Sequence, residues 1–498
     1  SLNASLVTDD HRAGLYVFGQ NRHRDAYDHD GDGYSEMPKL KNQTVGFRSF
    51  LKTSTYSKLT FEYHHLQEFR RGGNMLNRPP HEADIAEQIQ HSINGGGLKF
   101  DYFAPNEKHR LTLYTSAQHT DRDSYYGSKK DLNAYGKTTD LTFIGGSQYV
   151  YSFDKCLFMP ADLTAGLEYN RDNLKDDMWG YNRYTRQTVN IGSAFFQNEW
   201  KNEKWSILLG GRLDKHNLIN HVIFSPRANL RFNPTQDVNL RLSYSSGFRA
   251  PQAFDEDLHI ENVGGTVSMI ERAKNLKEEK SQSFSASADI YHRFGAFQVN
   301  FLVEGFYTKL SDVFVLENIG VRDGILIKER RNGSGAKVLG LSMEGKMAYL
   351  SLFQLQAGVT LQQSRYDEPE KWSETAPAQK KIFRTPNTYG YFTATYTPVK
   401  PLSVSLSGTY TGSMLVQHMA GYIKNDIAVN TRDFFDMGVK LAYDFKLYKT
   451  IDLQLSAGVQ NVFNAYQNDF DQGVERDSGY IYGPAAPRSY FTGVKISY

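Results

Sequence analysis

A single large antiparallel β-barrel, built to span a membrane, is the fold class this sequence predicts, and three observations predict it. Strand-length segments alternate apolar residues with polar or small ones. Short turns alternate with long polar loops. The segment 489–498, SYFTGVKISY, reads as one strand that carries Tyr490, Thr492, Val494, Ile496 and Tyr498 on a single face and stops on an aromatic.

Composition narrows the choice. The 498 residues are 40% hydrophobic and 13% aromatic, with mean hydropathy −0.55. No run approaches the ~18–20 apolar residues of a spanning helix. A helical membrane protein is thereby excluded, but a membrane barrel is not, because half of each strand and all its loops are polar. The 32 Tyr and 31 Phe fit two aromatic girdles. A net charge of +2 gives no argument for a nucleic-acid partner. The single Cys156 excludes a disulfide framework and a thiolate metal cluster. No signal peptide stands at Ser1, so the sequence reads as a processed chain or a piece of one.

Taken in order, the first strand is Leu2–Val7, closed by a turn at 8–11. Further short turns fall at 54–56, 105–108, 202–204, 233–237, 294–296, 398–401 and 446–449. Long polar loops fall at 21–41, 67–92, 120–136, 172–187, 246–280, 310–336, 364–385, 411–433 and 464–488. Between them, Leu240, Leu242 and Tyr244 alternate with Asn239, Arg241 and Ser243. Phe284, Ala286, Ala288 and Ile290 alternate with Ser283, Ser285, Ser287 and Asp289. The same rule holds for Leu402, Val404 and Leu406 against Ser403, Ser405 and Ser407, and for Leu453, Leu455 and Ala457 against Gln454 and Ser456. A soluble sandwich gives the same alternation. In a wide barrel the apolar face meets lipid and the polar face a wet lumen. The segments number roughly 21, each about 10–14 residues, near the length of a tilted spanning strand. Bacterial single-chain barrels have even strand numbers, and here the first and last strands run the same way. The expectation is therefore a 22-stranded barrel that lacks its first strand, occupying residues 1–498 as one domain. No linker or helical periodicity interrupts it.

Several motifs then carry a resemblance. Residues 224–232 (FSPRANLRF), 240–251 (LRLSYSSGFRAP), 275–281 (NLKEEKS), 458–466 (GVQNVFNAY) and the entry to the last strand, Gly483-Pro484 with 487–491 (PRSYF), resemble TonB-dependent receptors of the outer membrane. Residues 1–220 match in hairpin layout. Their segments 68–74 (EFRRGGN) and 124–127 (SYYG) are similar in style to receptors of the Bacteroides group. The resemblance implies a multi-pass barrel in the outer membrane of a Gram-negative bacterium, in contact with lipid. It implies uptake of a scarce metal chelate, first a ferric siderophore or haem and alternatively cobalamin. It also implies a plug that precedes the barrel and is pulled by the TonB complex, and a surface lipoprotein as partner in this lineage. The plug and its TonB box are not in this sequence, which departs from the family there. A plugless diffusion porin and a surface adhesin are the readings from other classes. No nucleophile–base constellation, phosphate loop or HExxH motif appears, so the chain does not read as an enzyme.

Four groups of residues are candidates for binding. Asp28, Asp30, Asp32 and Glu36 stand at positions 1, 3, 5 and 9 of a calcium-type loop, with Gly33 at 6 and Lys39 where the twelfth ligand belongs. Ca²⁺ is the ion they suit, against a solvated acidic loop tip, and no other cofactor is expected. His259 follows the 240–251 box, where haem receptors carry an iron ligand; the bland alternative is a histidine among Asp255, Glu256 and Asp257. Met414, His418 and Met419 offer soft-metal ligands or simple loop packing. Arg70, Arg71 and Arg122 can grip an anionic siderophore or a corrinoid phosphate, or order the loops by pairing with Glu68, Asp121 or Asp123.

Overall fold

The computed structural model describes residues 1–258, 261–263, 266–448, 450–484 and 486–498. Twenty-two strands form one antiparallel sheet. The shortest, Gln379–Lys381, pairs only beside the outer end of Phe353–Glu370, which leaves 21 long strands, each beside its chain neighbour. The edge strands Leu2–Val7 and Ser489–Ser497 run in the same direction, and among the described residues each pairs on one side. This matches the 22-stranded type that the alternation predicts.

Register explains why these residues choose a barrel. Ile207, Leu230, Leu242, Ala286, Gly305, Leu341 and Leu361 are successive Cα partners across seven strands. One residue along, Arg231, Arg241, Ser287, Glu304, Ser342 and Thr360 form the next row. Side chains alternate faces, so the first row is apolar and outside, the second polar and inside. Leu167 is 62% exposed and Leu242 55%, and several dozen large apolar side chains share this outer face. Full transfer of each from water is worth roughly 1.5–3 kcal/mol, so leaving them wet would exceed the ~5–15 kcal/mol net stability of a folded domain. The face is covered by lipid, and the sheet is the wall of a membrane-spanning barrel. No helix among the described residues is long and apolar enough to cross a membrane.

The wall is uneven. Seven consecutive strands, Ser35–Ser54 through Arg183–Lys201, run 17–22 residues, and those from Trp205–His216 onward run 9–18. Twenty residues at ~3.3 Å and a ~40° tilt rise about 50 Å, roughly 20 Å more than the hydrocarbon band. The expected length of 10–14 residues is therefore too short for this side. Most of the loops predicted at 67–92, 120–136 and 172–187 are paired strand: Ser57–Gly73 meets Ile85–Phe103, His109–Ser128 meets Tyr135–Cys156, and Met159–Met178 meets Arg183–Lys201. Their polar composition reflects two wet faces above the membrane, not irregular backbone.

Two short turns escape the sequence reading. They follow Cys156 and Tyr349, where Leu157 and Leu350 hold positive φ of 63° and 49°. Leucine is no turn residue, so composition gives no signal there. The turn predicted at 446–449 includes residue 449, which lies outside the described residues; Tyr448 and Ile451 pair across it.

Buried apolar clusters sit at the loop end. Tyr126 and Met178 of the tall wall pack with Met269 and Ile327 from two loops. Those loops form a four-stranded sheet of Glu261–Val263, Thr266–Arg272, Ile325–Asn332 and Phe314–Arg322, joined by a parallel pairing of the second and third. A second loop hairpin, Leu415–His418 with Ile427–Asn430, packs Met414 and Val416 against Tyr480.

Candidate ligand cavity and its loop network

Alternation points Glu68 and Arg70 of Ser57–Gly73, His91 of Ile85–Phe103 and Arg122 of His109–Ser128 inward. They form one side of a cavity of about 930 Å³ at the loop end of the lumen. Phe314 and Lys328 of the loop sheet close a second side, and Trp372, Phe383, Arg384, Arg476 and Tyr480 a third. The lining places aromatic rings beside cations, with carboxylates between them.

The three predicted arginines separate. Arg70 donates from Nε to Glu68 Oε1 at 2.7 Å and stays more than half exposed to the cavity. Arg71, one residue along, points the other way; it is 1% exposed and donates to the carbonyls of Gly72 and Asn74. Arg122 faces the cavity but is buried. Its Nε donates to Thr138 Oγ1 at 3.0 Å, Nη1 to Asp255 Oδ1 at 2.6 Å, and Nη2 lies 3.7 Å from Asp176. Its partners are Thr138, Asp255 and Asp176, where the sequence offered Asp121 or Asp123; those two are odd-numbered and face outward.

A larger network surrounds Arg122. Asp257 Oδ1 accepts from Arg330 Nε and Nη2 at 2.8 and 2.6 Å. Arg183 donates to the carbonyls of Asp257 and Leu258, and Gln187 Oε1 accepts from Ala253 N at 2.8 Å. These contacts fasten the strap 250–258, with its one-turn helix Asp255–Leu258, to the inner wall and to the loop sheet. The acids flanking His259 thus serve arginines; His259 itself lies outside the described residues.

The acidic loop brings together three of its four predicted ligands. Oxygens of Asp28, Asp30 and Glu36 lie within 4.8 Å of one another. Gly31 and Gly33, with φ of 76° and 88°, turn the backbone so that their N–H groups donate to the two Asp28 oxygens at 2.7 and 2.8 Å. Asp32 turns away: its Oδ2 accepts from Gly473 N at 2.8 Å and pairs with Arg476, which also reaches Glu36 at 3.1 Å. His29 stacks on Tyr466 with centroids 4.0 Å apart, and burial pushes the Tyr466 hydroxyl up to about 12. An all-oxygen cluster of this kind suits a hard cation.

Of the soft-ligand trio, Met414 and His418 are buried in the outer loops, and Met419 lines the cavity. His418 is buried, bonds Asp471 Oδ1 through Nε2 at 2.8 Å and stacks on Tyr480 at 3.7 Å. Met419 N donates to Asp477 Oδ2 at 2.9 Å. Burial raises the Asp477 carboxyl above its usual range, against the N–H groups of Met419 and Gly479 that pull it down.

Sequence reasoning missed Asp176, Arg183, Arg330, Arg476, Trp372 and Phe383. For Asp176 and Arg183 the signal was present: strand parity extended past the membrane points both inward. Arg330 lies on the loop strand Ile325–Asn332, inside a segment read as loop, and Arg476, Trp372 and Phe383 lie in irregular loops.

The profile of a family described as TonB dependent receptor-like, beta-barrel matches residues 8–462. No curated protein matches the chain. Solved structures share the fold. The siderophore receptor PirA from Acinetobacter baumannii has a TM-score of 0.77 at 15% identity, over 99% of this chain and 76% of that one. A double mutant of the ferric enterobactin receptor PfeA from Pseudomonas aeruginosa has 0.76 at 15%, over 99% and 76%. The ferric-catecholate import receptor Fiu from Escherichia coli has 0.70 at 12%, over 99% and 79%.

Proposed function

Because the chain belongs to the TonB-dependent receptor family, in its β-barrel part, we propose that it takes up a ferric chelate, a siderophore or haem, across the outer membrane. The cavity carries this reading. Its ~930 Å³ and its mixed lining, aromatic rings (Trp372, Phe383) and cations (Arg70, Arg384) set among carboxylates, suit a bulky, partly aromatic ligand with oxygen groups that a guanidinium can grip. The printed names of the structural neighbours, which include a siderophore receptor and a ferric-catecholate import receptor, support the same direction. Residues 1–498 act as the barrel domain, with the lumen plug, the TonB complex and, in the manner of the Bacteroides group, a surface lipoprotein completing the machine. The family contains no known catalysis, and the chain is a transport receptor, not an enzyme.

Asp28, Asp30 and Glu36 hold Ca²⁺ in this reading, and Arg476, which donates to Glu36, ties this first outer loop to the last. An Asp30→Asn change should abolish any Ca²⁺-dependent rise in melting temperature, whereas a wild-type midpoint indifferent to Ca²⁺ removes the ion.

Cargo is tested in a deletion strain. Growth lost on a ferric chelate or haem, and restored by the gene, supports iron uptake. Growth lost only under limiting cobalamin assigns a corrinoid instead. High ion conductance of the intact protein with no tight ligand makes it a porin.

A further inference from the structure

Three guanidiniums, of Arg122, Arg183 and Arg330, are buried where the strap 250–258 meets the wall, their side chains 7%, 13% and 5% exposed. Among the described residues, two buried carboxylates stand with them, Asp176 of the wall and Asp257 of the strap, exposed 2% and 5%. The remaining anions, Asp255 and Glu256, are 78% and 56% exposed and belong to the strap. Among the described residues the buried part of the network is therefore one negative charge short, and buried cations demand compensation. Asp255 supplies it from the cavity side. Asp255 and Arg122 both line the cavity. Among the described residues Asp255 makes one hydrogen bond, to Nη1, and the Nη2 of Arg122 approaches Asp176 at 3.7 Å. A guanidinium that presents two N–H groups favours a bidentate oxyanion over such a one-point contact.

From this we infer that Arg122 is an anion subsite of the cavity, occupied in the resting receptor by Asp255 as an internal stand-in for the ligand. An oxyanion of the incoming chelate takes the guanidinium, and Asp255 leaves it. The strap then keeps its anchors at Gln187, Arg183 and Arg330 but loses the one that faces the ligand, so arrival of an anion is converted into loosening of residues 250–258. The class of ligand follows: a chelate that carries negative oxygen on its surface operates this release, and a neutral one does not. The inference rests on the uptake reading above.

The intact receptor in detergent tests it, with Trp372 fluorescence as the binding signal and two probes, a triply negative ferric tris-catecholate and a neutral ferric tris-hydroxamate. Asp255→Asn should tighten the catecholate roughly tenfold and leave the hydroxamate unmoved, since only the anion competes with the carboxylate. Arg122→Lys should weaken the catecholate alone. Equal shifts for both probes, or none in Asp255→Asn, overturn the inference. If neither chelate binds the wild type, the uptake reading fails and the subsite is judged with inorganic pyrophosphate. Pyrophosphate should speed amide exchange over 250–258 in the wild type and leave Asp255→Asn unaffected. Unchanged exchange in the wild type overturns the subsite.

Discussion

The tall wall from Ser35 to Lys201 and the low wall from Trp205 onward solve the same problem in different ways. Both must build an outer vestibule above the membrane. The tall wall continues its hairpins, so backbone hydrogen bonds carry the structure upward and the tips stay short. The low wall stops its strands early and hands the task to folded loops, where arginine–carboxylate pairs, the His418–Tyr480 stack and small apolar clusters do the holding. The tall wall therefore tolerates loss of any one side chain, because its ladder remains. The loops of the low wall rest on few groups and should fail one body at a time.

The largest test of this contrast is Asp257→Ala. It leaves the buried Arg330 with only the half-exposed Glu256 among the described residues, 2.9 Å from its Nη2, so the cost should approach about 3–5 kcal/mol, that of breaking a buried pair. Amide protection should fall over Phe314–Asn332 and leave the barrel strands unchanged; a loss spread over the whole barrel would break the comparison. Next is Leu167→Arg on the lipid face of the tall wall, expected to cost about 2–4 kcal/mol near the bilayer midplane. Here the loss should appear as a shift of the single barrel transition in urea. Third, His418→Ala removes a stack and a hydrogen bond to Asp471, roughly 1–2 kcal/mol together. Faster proteolysis confined to 412–433 and 464–488 is the expected result.

The smallest effect is a pH dependence. The Asp477 carboxyl lies above its ordinary 3.8 because it is buried. The folded loop therefore prefers the protonated acid. Its contribution is complete below the unfolded value and declines as pH rises through the folded one. Asp477→Asn should narrow the stability difference of the last outer loop between pH 4 and pH 7, followed by near-ultraviolet circular dichroism of its tyrosines. An unchanged difference would show that the acid is not titrating there.

How far the sequence could be read follows the same division. Alternation makes the membrane-spanning strands legible, because lipid on one side and water on the other force a period of two. In the row from Ile207 to Leu361, Leu242 and Ala286 were legible from the alternation of their own strands, whereas the register that lines up the others appears only in the structure. Above the membrane both faces of the tall wall are wet, so composition turns polar while the backbone stays extended; 172–187 looks like a loop and is a hairpin. Arg71 and Arg122 illustrate the consequence for sites. Parity assigns them to opposite faces, but parity is applied only where a strand is recognised. In the low wall the useful partnerships, Asp257 with Arg330 and His418 with Asp471, join residues 73 and 53 positions apart. Neither a motif nor a period marks them.

The clasp between the first and last outer loops has a meaning for assembly. Asp32 and Arg476 are 444 residues apart, and closing such a loop through unstructured chain would cost about 5 kcal/mol of entropy. Each hairpin laid beside its neighbour shortens the path that remains, so the cost disappears only when the intervening strands are in place. The clasp must therefore form late, after insertion has brought the two margins of the sheet together. It works as a fastener that can close only on a finished vestibule. A receptor stalled partway through insertion would carry Asp32 and Arg476 still apart, their loops open to proteases that the mature protein excludes.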